Sequence, residues 1–114
     1  MNSMRFNKLL EDEILRILET LDSKSEEYST VDNKLHNFDK AGKMSNQSRE
    51  RALLGMQLKH TVSIDDIVDN LDKNILPTLN QLEEKIGDAI NYYILLKACI
   101  VDRIEKREIN AKIL

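Results

Sequence analysis

The 114-residue chain carries 17 basic and 20 acidic residues, and this balance excludes a general nucleic-acid binder, which needs an excess of positive charge. Three glycines and one proline are few chain breakers, and this composition favours a single all-helical domain, residues 1–114. Cys99 is the only cysteine, which excludes an internal disulfide. Because the sequence shows neither a signal-peptide pattern nor an apolar run of the ~20 residues that span a bilayer, we expect a cytoplasmic protein without membrane contact.

The first predicted helix runs from about Ser3 into the region Glu26 to Tyr28. Its apolar residues have the spacing of one helical face; they are Phe6, Leu9, Leu10, Ile14, Ile17, Leu18 and Leu21. Its charged residues lie mostly on the other face, where we expect a solvated surface; they are Glu11, Asp12, Glu13, Arg16 and Glu19.

Residues 25–44 lose this periodicity and are rich in Ser, Thr, Asp and Asn. They are predicted to form a long ordered connection with one short helix around Val31 to Phe38. Tyr28, Leu35 and Phe38 would hold this connection against the core. His36 lies two residues before Phe38, and a lone histidine is more often a hydrogen-bonded structural residue than a ligand.

The second long helix is predicted to run to about Asp69, and its N-terminus lies near Ser45 or Asn46, or at a capping Ser48. Gly55 lies in its interior, where glycine costs ~1 kcal/mol relative to alanine. We expect close helix packing, or alternatively a ligand, to explain that glycine. Lys59 lies on the polar side of this helix and is a candidate phosphate contact.

Pro77 ends the break that follows, and the spacing of Thr78 and Gln81 predicts a capping box. The third long helix then runs from Leu79 to about Glu108. Its segment from Tyr92 to Val101 is apolar almost all round, which predicts burial on more than one side.

Glu84, Asp88 and Asn91 share one stripe of this helix, at positions i, i+4 and i+7. Two carboxylates one turn apart repel each other unless a cation lies between them, and Mg²⁺ suits such a pair because it bridges carboxylates to phosphates. The alternative is a solvated acidic stripe. Further carboxylates would come from other segments, namely Glu26, Glu27 or Asp32. The sequence has no P-loop, no zinc-ligand spacing and no hydrolase signature.

Several short motifs taken together are similar to those of one family. They are Glu27-Tyr28, Asp32, Leu35-His36-Asn37-Phe38, Ala52-Leu53-Leu54-Gly55-Met56, Lys59-His60, Glu84-Lys85-Ile86-Gly87-Asp88 and Asn91-Tyr92. With these motifs, residues 23–102 resemble small phage-encoded relatives of the MazG-like all-α nucleoside triphosphate pyrophosphatases, including the nucleotide modification associated domains. The resemblance implies a helical bundle that holds Mg²⁺ with acidic residues of two helices. It also implies cleavage of a nucleoside triphosphate to the monophosphate and pyrophosphate.

Carried over by position, the resemblance makes Glu84 and Asp88 the catalytic carboxylates and, together with Glu27, the metal ligands. It makes five residues candidate substrate contacts, namely Tyr28, His36, Asn37, Lys59 and Asn91. Well-studied members of the superfamily have an ExxE pair on the first helix and an ExxD pair on the later one. Here the later pair is spaced by four, and the earlier segment offers only the adjacent Glu26 and Glu27.

We therefore expect an all-α antiparallel bundle of three long helices and one short helix, completed by assembly into a homodimer or homotetramer. The first functional hypothesis is an Mg²⁺-dependent nucleoside triphosphate pyrophosphohydrolase, whose partner is a nucleotide and not a nucleic-acid polymer. Because the set of carboxylates is incomplete, the alternative is a non-catalytic nucleotide binder, such as a phage protein that sequesters a host signalling nucleotide. A helical protein–protein interaction module is the third hypothesis.

Overall fold

The computed structural model describes residues 1–28 and 33–113, and for residues 23–28 and 113 it describes the backbone alone. Four helices make up its regular structure: α1 (Ser3–Tyr28), α2 (His36–Met44), α3 (Arg49–Asp72) and α4 (Leu79–Ile113). The predicted all-helical class is confirmed. Several boundaries differ from the prediction. The short helix spans His36–Met44 instead of about Val31 to Phe38, α3 ends at Asp72 instead of near Asp69, and α4 continues to Ile113 instead of ending near Glu108. None of the described helices combines the length and apolar character needed to cross a bilayer.

The N-termini of α3 and α4 are fixed by side-chain caps that the sequence predicts. The Ser48 hydroxyl accepts a hydrogen bond of 3.1 Å from the Arg51 amide at the start of α3. At α4 the Gln81 amide donates to the Thr78 hydroxyl and the Thr78 amide donates to the Gln81 side-chain oxygen, each at 3.1 Å. These bonds satisfy amide groups that a helix leaves without an internal partner.

The C-termini of α2 and α3 close with the same motif. Asn46 and Asn74 have φ values of 55° and 60°, a left-handed conformation that asparagine tolerates better than most residues. The following amides donate back to the helix, from Gln47 to the Gly42 carbonyl and from Ile75 to the Asn70 carbonyl, each at 2.9 Å. Each helix therefore ends in a sharp turn that sends the chain towards the next helix.

Helix α4 lies between α1 and α3 and runs antiparallel to both. On the α3 side, Arg49 donates to the Cys99 carbonyl at 2.7 Å and Gln57 donates to the Ala89 carbonyl at 2.8 Å. The later residue of α3 thus bonds to the earlier residue of α4, as expected for antiparallel helices. On the α1 side, the Glu13 carboxylate lies beside Gly87, and Arg16 forms an ion pair with Glu83 at 2.6 Å.

The most buried apolar cluster lies where α2, α3 and α4 meet. It consists of Leu35, Phe38, Leu53 and Cys99, with Met56, Tyr92, Leu95 and Leu96 packed against it. The predicted role of Leu35 and Phe38 in holding the connection is confirmed, whereas the side chain of Tyr28 falls outside the described residues.

Large apolar surfaces outside this cluster remain open in the single chain. On α1, Phe6, Leu9, Leu10, Ile14, Leu15 and Leu18 are each 44–57% exposed. On α4, Tyr93, Ile94, Ile100 and Val101 are 38–55% exposed, so within one chain the segment from Tyr92 to Val101 is covered on one side only. Gly55 is also exposed, and an added Cβ would meet no described atom within 4 Å, so the predicted close packing at Gly55 is wrong for the single chain.

Arg49 connects the three helices around the core with one largely buried side chain, which is 12% exposed. Its guanidinium donates to Asp39 of α2 at 3.1 Å, to Asp102 of α4 at 2.9 Å and to the Cys99 carbonyl at 2.7 Å. Burial opposes the charge of Arg49, but the hydrogen bonds to Asp102 and Asp39 outweigh it, so the pKa of Arg49 is raised. Glu50 lies beside Arg49 and pairs with Arg103 at 2.7 Å, which adds a second link between α3 and α4.

The substitution Gly42→Ala should destabilise the fold, because the new Cβ would lie 2.9 Å from both the Arg49 nitrogen and the Gln47 carbonyl oxygen, which are backbone atoms. We expect a loss of about 1–3 kcal/mol in the free energy of unfolding. The matched control is Gly55→Ala, which adds a methyl group in open space and should raise stability by about 0.5–1 kcal/mol. Urea unfolding measures both, and equal effects of the two substitutions would contradict the close approach at Gly42.

Acid should weaken the junction around Arg49. Burial alone would raise the pKa of Asp39, but hydrogen bonds from Asn33 and Arg49 lower it, and bonds from Lys106 and Arg49 lower the pKa of Asp102. A carboxylate whose folded pKa is depressed contributes stability above its unfolded pKa, 3.8 for Asp, and loses it as the pH falls through the folded value. We therefore expect the free energy of unfolding to fall below about pH 4, and Asp102→Asn to make this dependence shallower. A wild-type slope in Asp102→Asn would refute the linkage.

Candidate functional site

A cleft of about 300 Å³ lies between α1 and α4 and is lined mainly by polar residues. From α4 it receives Asn80, Glu83, Glu84, Gly87, Asp88 and Asn91. From α1 it receives Glu13, Arg16, Ile17 and Thr20. The structure thus brings the predicted Glu84, Asp88 and Asn91 to one site, and adds a carboxylate from a second helix.

The α1 wall of this cleft is one stripe of the helix, since Glu13, Arg16, Ile17 and Thr20 follow one another at i, i+3, i+4 and i+7. Gly87 on the facing helix lies beside the Glu13 carboxylate, since a Cβ at this position would be 3.7 Å from Glu13 Oε1, an ordinary van der Waals contact. The Glu13 side chain therefore reaches across from α1 to the surface of α4.

Two buried oxygens in the cleft accept no hydrogen bond from any described residue: Glu13 Oε1 and Asn91 Oδ1. Asn91 is 8% exposed and the side chain of Glu13 is 22% exposed, so contact with bulk water is small. A buried acceptor without a partner costs about 1–3 kcal/mol. Both atoms are acceptors and both residues line the cleft, so each is a candidate ligand for a cation bound between the two helices.

The cleft carries an excess of negative charge. Glu13, Glu83, Glu84 and Asp88 supply four carboxylates, and Arg16 is the only cation among the described lining residues. Arg16 lies 2.6 Å from Glu83 and 3.8 Å from Glu13 Oε2, so its charge is shared between the two helices. The side chain of Glu84 is 65% exposed at the mouth, with Lys85 3.8 Å away. The remaining negative charge favours binding of a cation.

An apolar groove of about 410 Å³ adjoins this cleft along the same pair of helices. Its floor is formed by Leu9 of α1 and by Leu82, Ile86 and Ile90 of α4. The two cavities share Glu13, Arg16 and Glu83 as a common wall. A ligand with one charged end and one flat apolar end would fit across this wall.

The remaining predicted site residues lie elsewhere or outside the described residues. Lys59 is exposed on α3, and His36 and Asn37 form the first turn of α2, so none of the three lines the α1–α4 cleft. The side chains of Glu26, Glu27 and Tyr28 fall outside the described residues, as does Asp32.

Glu13 is the residue that the sequence analysis missed, because it was assigned to a solvated surface. The signal that could have found it is the stripe it forms with Ile17 and Thr20, which borders the apolar face of α1. A charged residue beside an apolar face is at the edge of a helix–helix contact, where it can be covered.

A second acidic group, on α3, consists of Asp65, Asp66 and Asp69, whose carboxylate oxygens lie within 4.8 Å of one another. All three residues are exposed and belong to one helix. Exposed acidic groups of this kind are common without an ion. The α1–α4 cleft is the better candidate site, because it combines two helices with buried acceptor atoms.

Neither a protein-family model nor a curated protein or solved structure matches the chain. The residues of the cleft are therefore the basis for inferring a function.

Proposed function

We propose that the protein is an Mg²⁺-dependent nucleoside triphosphate pyrophosphohydrolase of the MazG-like type, and that the α1–α4 cleft is its active site. The observation that carries this proposal is the pair of buried acceptor oxygens, Glu13 Oε1 and Asn91 Oδ1, in a cleft that also contains Asp88 and Glu84. The products would be a nucleoside monophosphate and pyrophosphate. We place this activity in the cytoplasm, in the host cytoplasm if the protein is phage-encoded.

The donor set of the cleft fits Mg²⁺, which prefers oxygen ligands and commonly uses one or two carboxylates together with substrate phosphates. Glu13 and Asp88 would hold the ion from opposite helices, and Glu84 would be a further ligand at the mouth. Glu13 thereby takes the position on the first helix for which Glu27 was the sequence-based candidate. Bound Mg²⁺ would neutralise charge on the phosphate oxygens and activate water for attack on a phosphoanhydride.

The other residues of the cleft suit the binding of a nucleotide. Asn91 would donate from its amide nitrogen to a phosphate oxygen while its Oδ1 faces the cation. Arg16 is held between Glu13 and Glu83, and a guanidinium in such a position can bind phosphate with two parallel hydrogen bonds. The adjoining groove floored by Leu82, Ile86 and Ile90 would take the base, since an apolar surface suits a flat ring.

One observation favours the alternative of a nucleotide binder that does not hydrolyse its ligand. Arg16 stands three residues after Glu13, at the position where well-studied family members place the second acid of their ExxE pair. It also neutralises Glu83 at 2.6 Å, which leaves fewer carboxylates for metal ions. In this alternative the cleft would retain a nucleotide and lack the second metal site that rapid hydrolysis requires.

We further propose that a second copy of the chain completes the bundle as a homodimer or homotetramer. The open apolar face of α1 supports this, because Phe6, Leu10, Ile14 and Leu18 follow one side of the helix and are each about half exposed. The molecule measures 58 × 33 × 24 Å, with a radius of gyration of 17.4 Å, whereas a compact domain of this length has about 13 Å. An elongated monomer with an open apolar face is typical of a chain that packs against a partner.

Removing the charge of Glu13 should have opposite effects on stability with and without metal. In EDTA, Glu13→Gln should raise the melting temperature, because it relieves repulsion between Glu13 and the acids of α4. In wild type, Mg²⁺ at tenfold its Kd should stabilise the fold by about 1.4 kcal/mol, and Glu13→Gln should lose most of this gain. Glu11→Gln, on the exposed side of α1, is the matched control. Equal responses of the two variants to Mg²⁺ would exclude Glu13 as a ligand.

Turnover should depend on Asp88. Purified protein is incubated with Mg²⁺ and a pool of nucleoside triphosphates, and free and protein-bound nucleotides are identified by mass spectrometry. We expect monophosphate and pyrophosphate from wild type, and a loss of ~100-fold or more in Asp88→Asn. Asp69→Asn, in the exposed acidic group of α3, is the control and should retain activity. A nucleotide retained intact by wild type in the presence of Mg²⁺ would support the binder instead, and full activity of Asp88→Asn would refute the assigned role.

A further inference from the structure

A second cleft, of about 640 Å³, lies at the other end of the molecule, where the end of α2 faces the last third of α4. Its cations are Lys43 of α2, Arg49 of α3 and Arg103, Lys106 and Arg107 of α4. It is separate from the α1–α4 cleft, since Asn91 and Arg103 are about 18 Å apart along α4 at the rise of an α-helix.

The end of α4 separates its charges by face. Arg103, Lys106, Arg107 and Asn110 follow one another at i, i+3, i+4 and i+7, and all four line the cleft. The acids of the same segment, Glu105 and Glu108, lie on the opposite side of the helix and do not line it. Basic and acidic residues that alternate along the sequence thus lie on different faces of α4, and the face turned to the cleft is cationic.

The acidic residues around this cleft do not cancel its positive charge. Asp39 and Asp102 bind Arg49, Glu50 binds Arg103, and Lys106 shares Asp102 at 3.0 Å. Three carboxylates therefore face five cations. Lys43 and Arg107 pair with no carboxylate among the described residues, so the excess positive charge is at these two positions, one on each wall.

We propose that this basic cleft is a second ligand site, and that it binds a compact polyphosphate anion, either free or as the triphosphate chain of a nucleotide. Guanidinium and ammonium groups from two walls can bind successive phosphates, while Gln47 and Asn110 at the rim offer neutral donors. The Asp39 carboxylate in the wall repels any anion. A ligand with several negative charges close together can contact several cations at once and offset this repulsion, whereas a single carboxylate cannot. The five cations lie together in one cleft, although the net charge of the chain is −3. A short ligand matches such a local group of cations better than a long nucleic-acid strand does. The inference does not depend on the proposed function, because the two clefts have separate linings.

The side chains of Arg103 and Lys106 are 64% and 68% exposed, so they can turn towards a ligand without breaking the core. Arg49, by contrast, is fixed by Asp39, Asp102 and the Cys99 carbonyl and gives the site a rigid charged floor. The ligand would therefore be held by exposed cations over one whose position is fixed by three hydrogen bonds.

The test is calorimetric titration of the full chain with sodium tripolyphosphate at low ionic strength, in EDTA so that no metal binds the acidic cleft. We expect binding by wild type that weakens as salt is added. The double substitution Lys106→Gln/Arg107→Gln should weaken binding by about tenfold or more. Lys112→Gln is the matched control, since Lys112 is an exposed cation on the other side of the same helix. Circular dichroism and light scattering check that each variant keeps its fold and mass, and Lys43→Gln replaces the double variant if it does not.

A second titration, with adenosine triphosphate, distinguishes the source of the phosphate chain. Similar affinities for the two probes would support recognition of the phosphates alone, and tighter binding of the nucleotide that is still lost in the double variant would support the nucleotide as the source. Absence of tripolyphosphate binding, or equal losses in the double variant and in Lys112→Gln, would overturn the proposal.

Discussion

The fold depends most on a single buried cation, Arg49, at the junction of α2, α3 and α4. The neighbouring apolar cluster is small, with Leu53 and Cys99 as its fully buried side chains, and cannot by itself fix the relative positions of three helices. The guanidinium supplies the missing specificity, since it bonds one carboxylate from each flanking helix and a backbone carbonyl of α4. Without its charge, Asp39 would lose its cationic partner among the described residues, and Asp102 would retain only Lys106. The bonds of Arg49 fix the register of α3 against α4. The register in turn determines where the side chains of α4 lie.

The two ends of α4 have different neighbours and therefore different chemistry. Its C-terminal part faces α2 and α3, and the helix face turned to the cleft there is basic. Its N-terminal half meets α1 through one ion pair and the contact between Glu13 and Gly87, and the space left between the helices is acidic. The chain thus separates positive and negative charge over the length of one helix. This separation explains how a protein of small net charge can present two clefts of opposite sign.

Features of the fold and of the cleft that depend on neighbouring residues could be predicted from the sequence, whereas those that depend on a distant segment could not. The cap at Thr78 was predicted, and Ser48 was one of the three N-termini considered for α3, because a hydroxyl three residues before an amide is sufficient for the bond. The stripe of Glu84, Asp88 and Asn91 was predicted because helical spacing alone defines it. The start of α2 was misplaced because Asn33 sets it, through a side-chain bond of 3.0 Å to the Leu35 amide and another of 2.8 Å to Asp39. Glu13 was missed because the burial of a charged residue on an amphipathic helix is decided by the neighbouring helix, which in this case carries a glycine at the contact.

Cys99 lies at the centre of the junction, fully buried, and its carbonyl is occupied by Arg49. Burial raises the pKa of its thiol, so the nucleophilic thiolate is scarce at neutral pH and reagents have no access to it. Since the chain has one cysteine, a new cysteine placed on the surface would be the sole reactive thiol of the folded protein. Spectroscopic labels could therefore be attached on either side of each cleft without removing the native cysteine, and distances between α1 and α4 could be followed in solution.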